Sequence, residues 1–275
     1  MIRRALACAL AVLGSSAALA ACAQGSGAPA ATPADPDALV LRVTQGGGYT
    51  APGADLGRLP LVSVYRDGRV ITEGPVAAIY PGPAWPNVQV ARIDADAVTD
   101  LVDAALDAGV TATGDLGSPG IADATTTTIT LITADGTSTR EVYGLREGQG
   151  DPALTTEQAA ARTALADLVD RLTAPAAEQE TEAYQPTAVA ALAGSYTAED
   201  GLERDPVSWP GAALPGESAA PGLGCTVSTG DEATAVTAAA QDADALTPWT
   251  DGGSTWAVTF RPLLPDETGC ADLAG

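Results

Sequence analysis

The sequence predicts an α+β protein. A mostly antiparallel sheet with helices on one face is expected over residues 38–174, and a smaller C-terminal α+β unit, closed by a disulfide, over 184–275. Three observations carry this reading. Two Asp-Gly dipeptides each sit between runs of β-branched residues, the strongest short signal for a hairpin. Two segments between and after them repeat apolar residues with helical spacing and begin at capping residues. Two cysteines, Cys225 and Cys270, stand in the C-terminal part of a chain that carries an export signal.

The N-terminus has the three parts of a signal peptide. Arg3 and Arg4 give the charged start, Ala5 to Leu13 the apolar stretch, and Leu19-Ala20-Ala21-Cys22 follows a run of small residues. That tetrapeptide resembles the lipobox of bacterial lipoproteins. The resemblance implies cleavage after residue 21, a diacylglyceryl group on Cys22, and a lipid anchor on the extracytoplasmic face of the cell membrane. Two other readings compete. A retained transmembrane helix would need about 20 apolar residues, more than this stretch supplies. Ordinary secretion would cut after Ala18-Leu19-Ala20 and leave Cys22 as a free thiol in an oxidising compartment. With Cys22 lipidated and Cys8 removed with the signal, Cys225 and Cys270 remain as an even pair, which we expect to be disulfide-bonded. Residues 22–37 are Ala, Gly, Pro and Ser with almost no large apolar side chain. They read as a flexible tether spanning ~20 Å on average.

The elements of the first stretch follow in order. Ala38 to Thr44 reads as a strand, and Pro60 to Tyr65 pairs with Arg69 to Thr72 around Asp67-Gly68. Pro75 to Asn87, punctuated by Pro81, Pro83 and Pro86, is a loop, and Val88 to Ile93 is a short strand. A helix begins at Asp94 or Asp96, buries the stripe Val98, Leu101, Val102, Ala105 and Leu106, and ends at Gly109. Thr125 to Thr133 and Thr137 to Leu145 form a second hairpin around Asp135-Gly136, their threonines suiting a pleated surface. Thr155 and Gln158 have capping-box spacing ahead of a helix with Ala161, Leu165, Leu168, Val169 and Leu172 on its apolar face.

Residues 175–183 are polar and read as a linker. Beyond them, Thr187 to Thr197 is a strand, Asp205 to Gly224 mostly loop, and Cys225 to Ser228 a short strand. Asp231 to Asp242 is a helix, with Thr229 and Glu232 at capping-box spacing, and Thr255 to Phe260 is a last strand stopped by Pro262 and Pro265. The segments "RLPLVSVYRDGRV", "YPGPAWPN", "TTTTITL" and "WAVTFRPLLPDETGC", with the Asp-rich helix, together resemble a family of actinobacterial surface lipoproteins. The first of them is also similar to a wider bacterial domain with two hairpin-plus-helix units. The resemblance implies no activity and carries over no catalytic residue.

Composition narrows the chemistry. The chain has no His, and its 13 basic residues are all Arg. A Ser-His-Asp triad, a Cys-His pair and a His-bearing zinc site cannot be built, nor can a Ser-Lys dyad, a Schiff base or a P-loop. The net charge of −22 repels nucleic acid and favours an envelope protein or a cationic partner. Asp94, Asp96, Asp100, Asp103 and Asp107 invite a calcium reading, but they lack the order of an EF-hand loop, and a solvated acidic helix face with Asp94 or Asp96 as its cap is the expected reading. Trp85, Trp209, Trp249 and Trp256 could line a sugar site or anchor loops. "RPLLPDETGC" reads either as an inhibitor-like loop or as a terminal segment stapled to the sheet by the disulfide. The expectation is therefore a lipid-anchored protein with a non-catalytic binding or scaffolding role, with no catalytic residues, metal or cofactor. The alternatives are a carboxylate-dependent envelope hydrolase and a protease inhibitor acting through the C-terminal loop.

Overall fold

Two Asp-Gly turns organise the first sheet. Gly68 and Gly136 both hold positive φ, at 85° and 127°. A Cβ on Gly68 would also stand 2.0 Å from the Ile93 carbonyl oxygen, so space and backbone conformation both require glycine there. The computed structural model describes residues 35–273. The expected signal peptide, Cys22 and residues 23–34 of the tether lie outside the described residues.

The chain runs β1 (Leu39–Gly47), β2 (Val62–Tyr65), β3 (Arg69–Glu73), β4 (Val88–Arg92), α1 (Ala95–Asp107), β5 (Thr125–Thr133), β6 (Gly136–Tyr143), α2 (Thr156–Glu178) and β7 (Glu182–Ala183). These strands form one sheet in the order β6-β5-β1-β2-β3-β4-β7, antiparallel at every pairing. After α1 the chain returns to the free edge of β1, so β1 lies inside the sheet. Strand alternation then sorts the side chains. Leu41, Val43, Val64, Val70, Ile129 and Leu131 face α1 and α2 and form the main core. Tyr65, Ile71 and Val88 point the other way and are covered by Leu59 and Leu264.

Asp94 caps α1, its carboxylate accepting from Ala97 N at 2.8 Å. Val98, Leu101 and Ala105 are buried, but Leu106 is 43% exposed. The expected stripe is therefore narrower. Eight residues of helix advance about 80° past two full turns, which carries Leu106 off the face that begins at Val98. The capping box of α2 is complete: Gln158 N donates to Thr155 Oγ1 (3.2 Å) and Thr155 N to Gln158 Oε1 (2.9 Å).

Residues 175–183, expected as a linker, carry ordered structure. The helix runs through Pro175 to Glu178, and Glu182–Ala183 adds an edge strand to β4. Pro175 removes only one backbone donor, and Ala176 still packs on the core, so packing overrides the breaker.

The second sheet is built from β8 (Ala188–Ser195), β9 (Val207–Ser208), β10 (Glu217–Ala220), β11 (Leu223–Thr229), β12 (Trp249–Asp251) and β13 (Ser254–Pro262), with α3 (Gly230–Gln241) between β11 and β12. Its order is β10-β11-β8-β13-β12-β9, and only the β12–β9 pair is parallel. The stretch 205–224, expected mostly as loop, thus includes two edge strands. Short edges held by neighbours leave little sequence signal. The capping box expected at Thr229 and Glu232 is not made. Gly230, at φ 57°, turns the chain into α3 instead, and Thr229 makes no side-chain cap. Strand β8 is buried on both faces. Val189 and Ala191 meet an aromatic cluster, while Ala190 and Leu192 meet Leu263, Leu273 and Cys225. Both sheets belong to one compact unit, Asp35–Gly275.

Candidate functional site

The face of the first sheet opposite its helices is apolar over β2–β4 and polar over β1 and β5. Arg42 faces Thr130, Thr44 faces Thr128, and Gly46 faces Thr126 in register. These even-numbered positions alternate with the buried Leu41, Val43, Ile129 and Leu131, so they line up on one surface. The result is a groove of about 510 Å³ floored by Arg42, Thr44, Thr126 and Thr128. Asp55, Leu56 and Arg58 line it from the segment after β1, and Ala219, Ala220, Arg261, Glu267, Asp272 and Leu273 line it from the C-terminal part.

One end of the groove is closed by a charged network that joins both sheets. Arg42 donates to Ser63 Oγ (3.0 Å), Tyr65 OH (3.2 Å) and Asp266 Oδ1 (2.7 Å), and Tyr65 OH donates to the same carboxylate oxygen at 2.7 Å. Arg261 pairs with Glu267 at 2.8 Å, with both side chains 3% exposed. The other Glu267 oxygen accepts from Leu264 N at 2.7 Å. Burial opposes the charge of Arg42, but Tyr65, Asp266 and Glu267 outweigh it and raise its pKa. Burial is also the main cause that pushes the Tyr65 phenol up; Arg42 opposes it, and Asp266 and Glu267 add to it, so this hydroxyl stays a neutral donor.

The acids of the groove are engaged. Asp55 accepts from Gly47 N at 3.1 Å and lies 3.4 Å from Arg58. Asp272 accepts from Thr268 N (2.7 Å), Thr268 Oγ1 (2.9 Å) and Gly269 N (3.0 Å). Those donors hold the Asp272 carboxyl below its usual range. Its contribution to stability is thus present above the ordinary carboxylate pKa and lost as pH falls through the lowered one. By contrast, the hydroxyls of Thr44, Thr126 and Thr128 make no hydrogen bond with other described side chains, and they face the groove.

The expected Cys225–Cys270 disulfide is present, with its Cα atoms 6.2 Å apart. It ties the short 3-10 turn Cys270–Leu273, which carries Asp272 and Leu273 into the groove wall, onto β11. The tryptophans divide. Trp209 and Trp249 meet edge-on at 5.6 Å, and Phe260 lies 5.4 Å from Trp249 and 6.3 Å from Trp85, so three of the four tryptophans join Phe260 in the core under α3. Trp256 lies on another face, in a shallow depression beside Pro215 and Leu223. The C-terminal loop does not protrude, since Leu263 and Leu264 are each 2% exposed. Nothing local in the sequence marks Arg42 and Tyr65 as neighbours of Asp266, because those partners lie 224 and 201 positions away. The alternation within "TTTTITL" did carry a signal, since it leaves Thr126 and Thr128 on the polar face.

Asp94, Asp96, Asp100, Asp103 and Asp107 are all exposed along α1. Among the described residues no group of three or more His, Cys, Asp or Glu could hold a metal. Calcium is therefore expected to change the melting temperature no more than an equal ionic strength of sodium chloride. A saturable rise that disappears in Asp100→Asn would contradict this. No protein-family model, curated protein or solved structure matches the chain.

Proposed function

We propose that the chain is a lipid-anchored extracytoplasmic protein whose groove over β1 and β5 holds an envelope component without transforming it. One observation supports this above the others. The carboxylates of the groove are occupied by arginine or backbone donors, while its floor presents open hydroxyls. Carboxylate hydrolysis needs one acid kept protonated and a second facing it across the scissile bond. Open hydroxyls beside fixed guanidinium groups suit recognition by hydrogen bonding. The lipobox-like Leu19-Ala20-Ala21-Cys22 supports the anchor, and the net charge of −22 supports a role away from nucleic acid.

The groove reading is tested by co-sedimentation with washed cell-envelope fragments. The exported protein should be retained, and Thr128→Trp, which fills the floor from its exposed side, should weaken retention at least about tenfold. Equal retention of both proteins, or release of soluble fragments during incubation, would overturn the reading. The anchor is tested separately. Cys22→Ala should move the protein from the membrane fraction to the medium, or stall it as the uncleaved precursor. A Cys22→Ala protein that is processed normally and stays in the membrane would sink the anchor but leave the groove untouched.

A further inference from the structure

The loop between β3 and β4 exposes six residues in succession, Pro75 to Tyr80. Its large side chains turn outward: Val76 is 56% exposed, Ile79 64% and Tyr80 68%. A single exposed apolar residue is ordinary, but a contiguous run marks an interaction surface. The run is held in place from both ends. Gly74 N donates to Asn87 O (2.6 Å) and Asn87 Nδ2 to Pro75 O (2.8 Å), closing its base on the first sheet. Ala245 N donates to Gly82 O (2.9 Å) and Ala84 N to Ala243 O (3.1 Å), fixing its far side beside α3. Trp85 then packs into the aromatic core. A knob so anchored gives up little conformational entropy on binding.

Its rim is acidic. The Tyr80 hydroxyl donates to Glu199, which opens an exposed turn that also carries Asp200 and Glu203. Glu73 stands exposed at the base of the loop. Arg204, which follows the acidic turn, is neutralised by Asp244 at 2.7 Å. We infer that the Val76–Tyr80 loop docks a cationic amphipathic polypeptide segment, with Val76, Ile79 and Tyr80 meeting its apolar side and the acidic rim its basic side. A second copy of this chain would bring like charges together, and an anionic lipid surface would be repelled by the same rim.

The test uses fluorescence anisotropy with the exported protein at physiological salt. The probe is the labelled peptide KLAKLAKKLAKLAK, and KSAKSAKKSAKSAK is the equally charged control. The apolar peptide should bind at least about tenfold more tightly, since docking one or two leucines on the loop removes enough apolar surface for that ratio. Val76→Ser with Ile79→Ser should abolish the preference and leave the control's binding unchanged. These positions face solvent, so the circular dichroism spectrum and melting temperature should stay as in the parent. Glu199→Gln with Asp200→Asn should weaken both peptides alike. Equal affinity for the two peptides, or a preference that survives the double Ser variant, would overturn the proposal. So would parent-specific uptake onto neutral phosphatidylcholine vesicles, which would assign the loop to the bilayer.

Discussion

Glu267→Ala is expected to destabilise the fold by roughly 3–5 kcal/mol, because it strands Arg261 in the interior without its counter-charge. The pair is 2.8 Å apart with both side chains 3% exposed, so solvent cannot screen or replace the lost carboxylate. The same substitution also removes the acceptor of Leu264 N, which leaves a buried backbone donor unsatisfied. Arg42, 3.9 Å from Glu267, loses part of the negative charge that favours its ionised form. The measurement is urea unfolding at neutral pH, read as a fall in midpoint with an unchanged slope. The double variant Arg261→Met with Glu267→Leu should recover the part of the loss that comes from the stranded guanidinium, because neither position then carries a buried charge, while the unsatisfied Leu264 N remains. A loss below about 1 kcal/mol for Glu267→Ala would show that water reaches Arg261 and that the network is not the seal between the two sheets.

Removal of the disulfide by Cys225→Ser with Cys270→Ser should cost about 4 kcal/mol in the chain-entropy model, for a sequence separation of 45. The effect should also reach the groove. Leu273 packs with Ala190, Leu192 and Leu263, and the 3-10 turn that carries it is tied to β11 through Cys270. Without that tie, Asp272 and Leu273 are held only by the local bonds to Thr268 and Gly269 and by this packing. Thermal melts with and without reductant give the stability term, and retention on envelope fragments under the same conditions gives the functional one. Intact mass should rise by about two hydrogens on reduction. An unchanged melting temperature in the double Ser variant would mean that Leu263 and Leu273 fix the tail without the covalent bond.

The sequence by itself determined the local elements where a single physical rule dominates. Asp67-Gly68 and Asp135-Gly136 fixed both hairpins of the first sheet, because glycine supplies the positive φ that each turn requires. Asp94 and the Thr155–Gln158 box fixed two helix starts, because each supplies acceptors for orphan backbone donors. Cysteine parity pointed to the Cys225–Cys270 bond, which the fold brings together with Cα atoms 6.2 Å apart. Tertiary structure decided whatever depends on partners far along the chain. Pro175 continues a helix and Glu182–Ala183 becomes a strand because β4 and the core accept them. The Thr229–Glu232 spacing forms no cap because Gly230 sets the backbone first. The groove exists only because antiparallel return places β5 beside β1 and the C-terminal segment beside both, which brings Arg42 to Asp266 across 224 positions. Short-range rules act through neighbouring backbone groups and can be read from a few residues. A buried ion pair depends on which faces the whole chain leaves uncovered, and no window of sequence contains that.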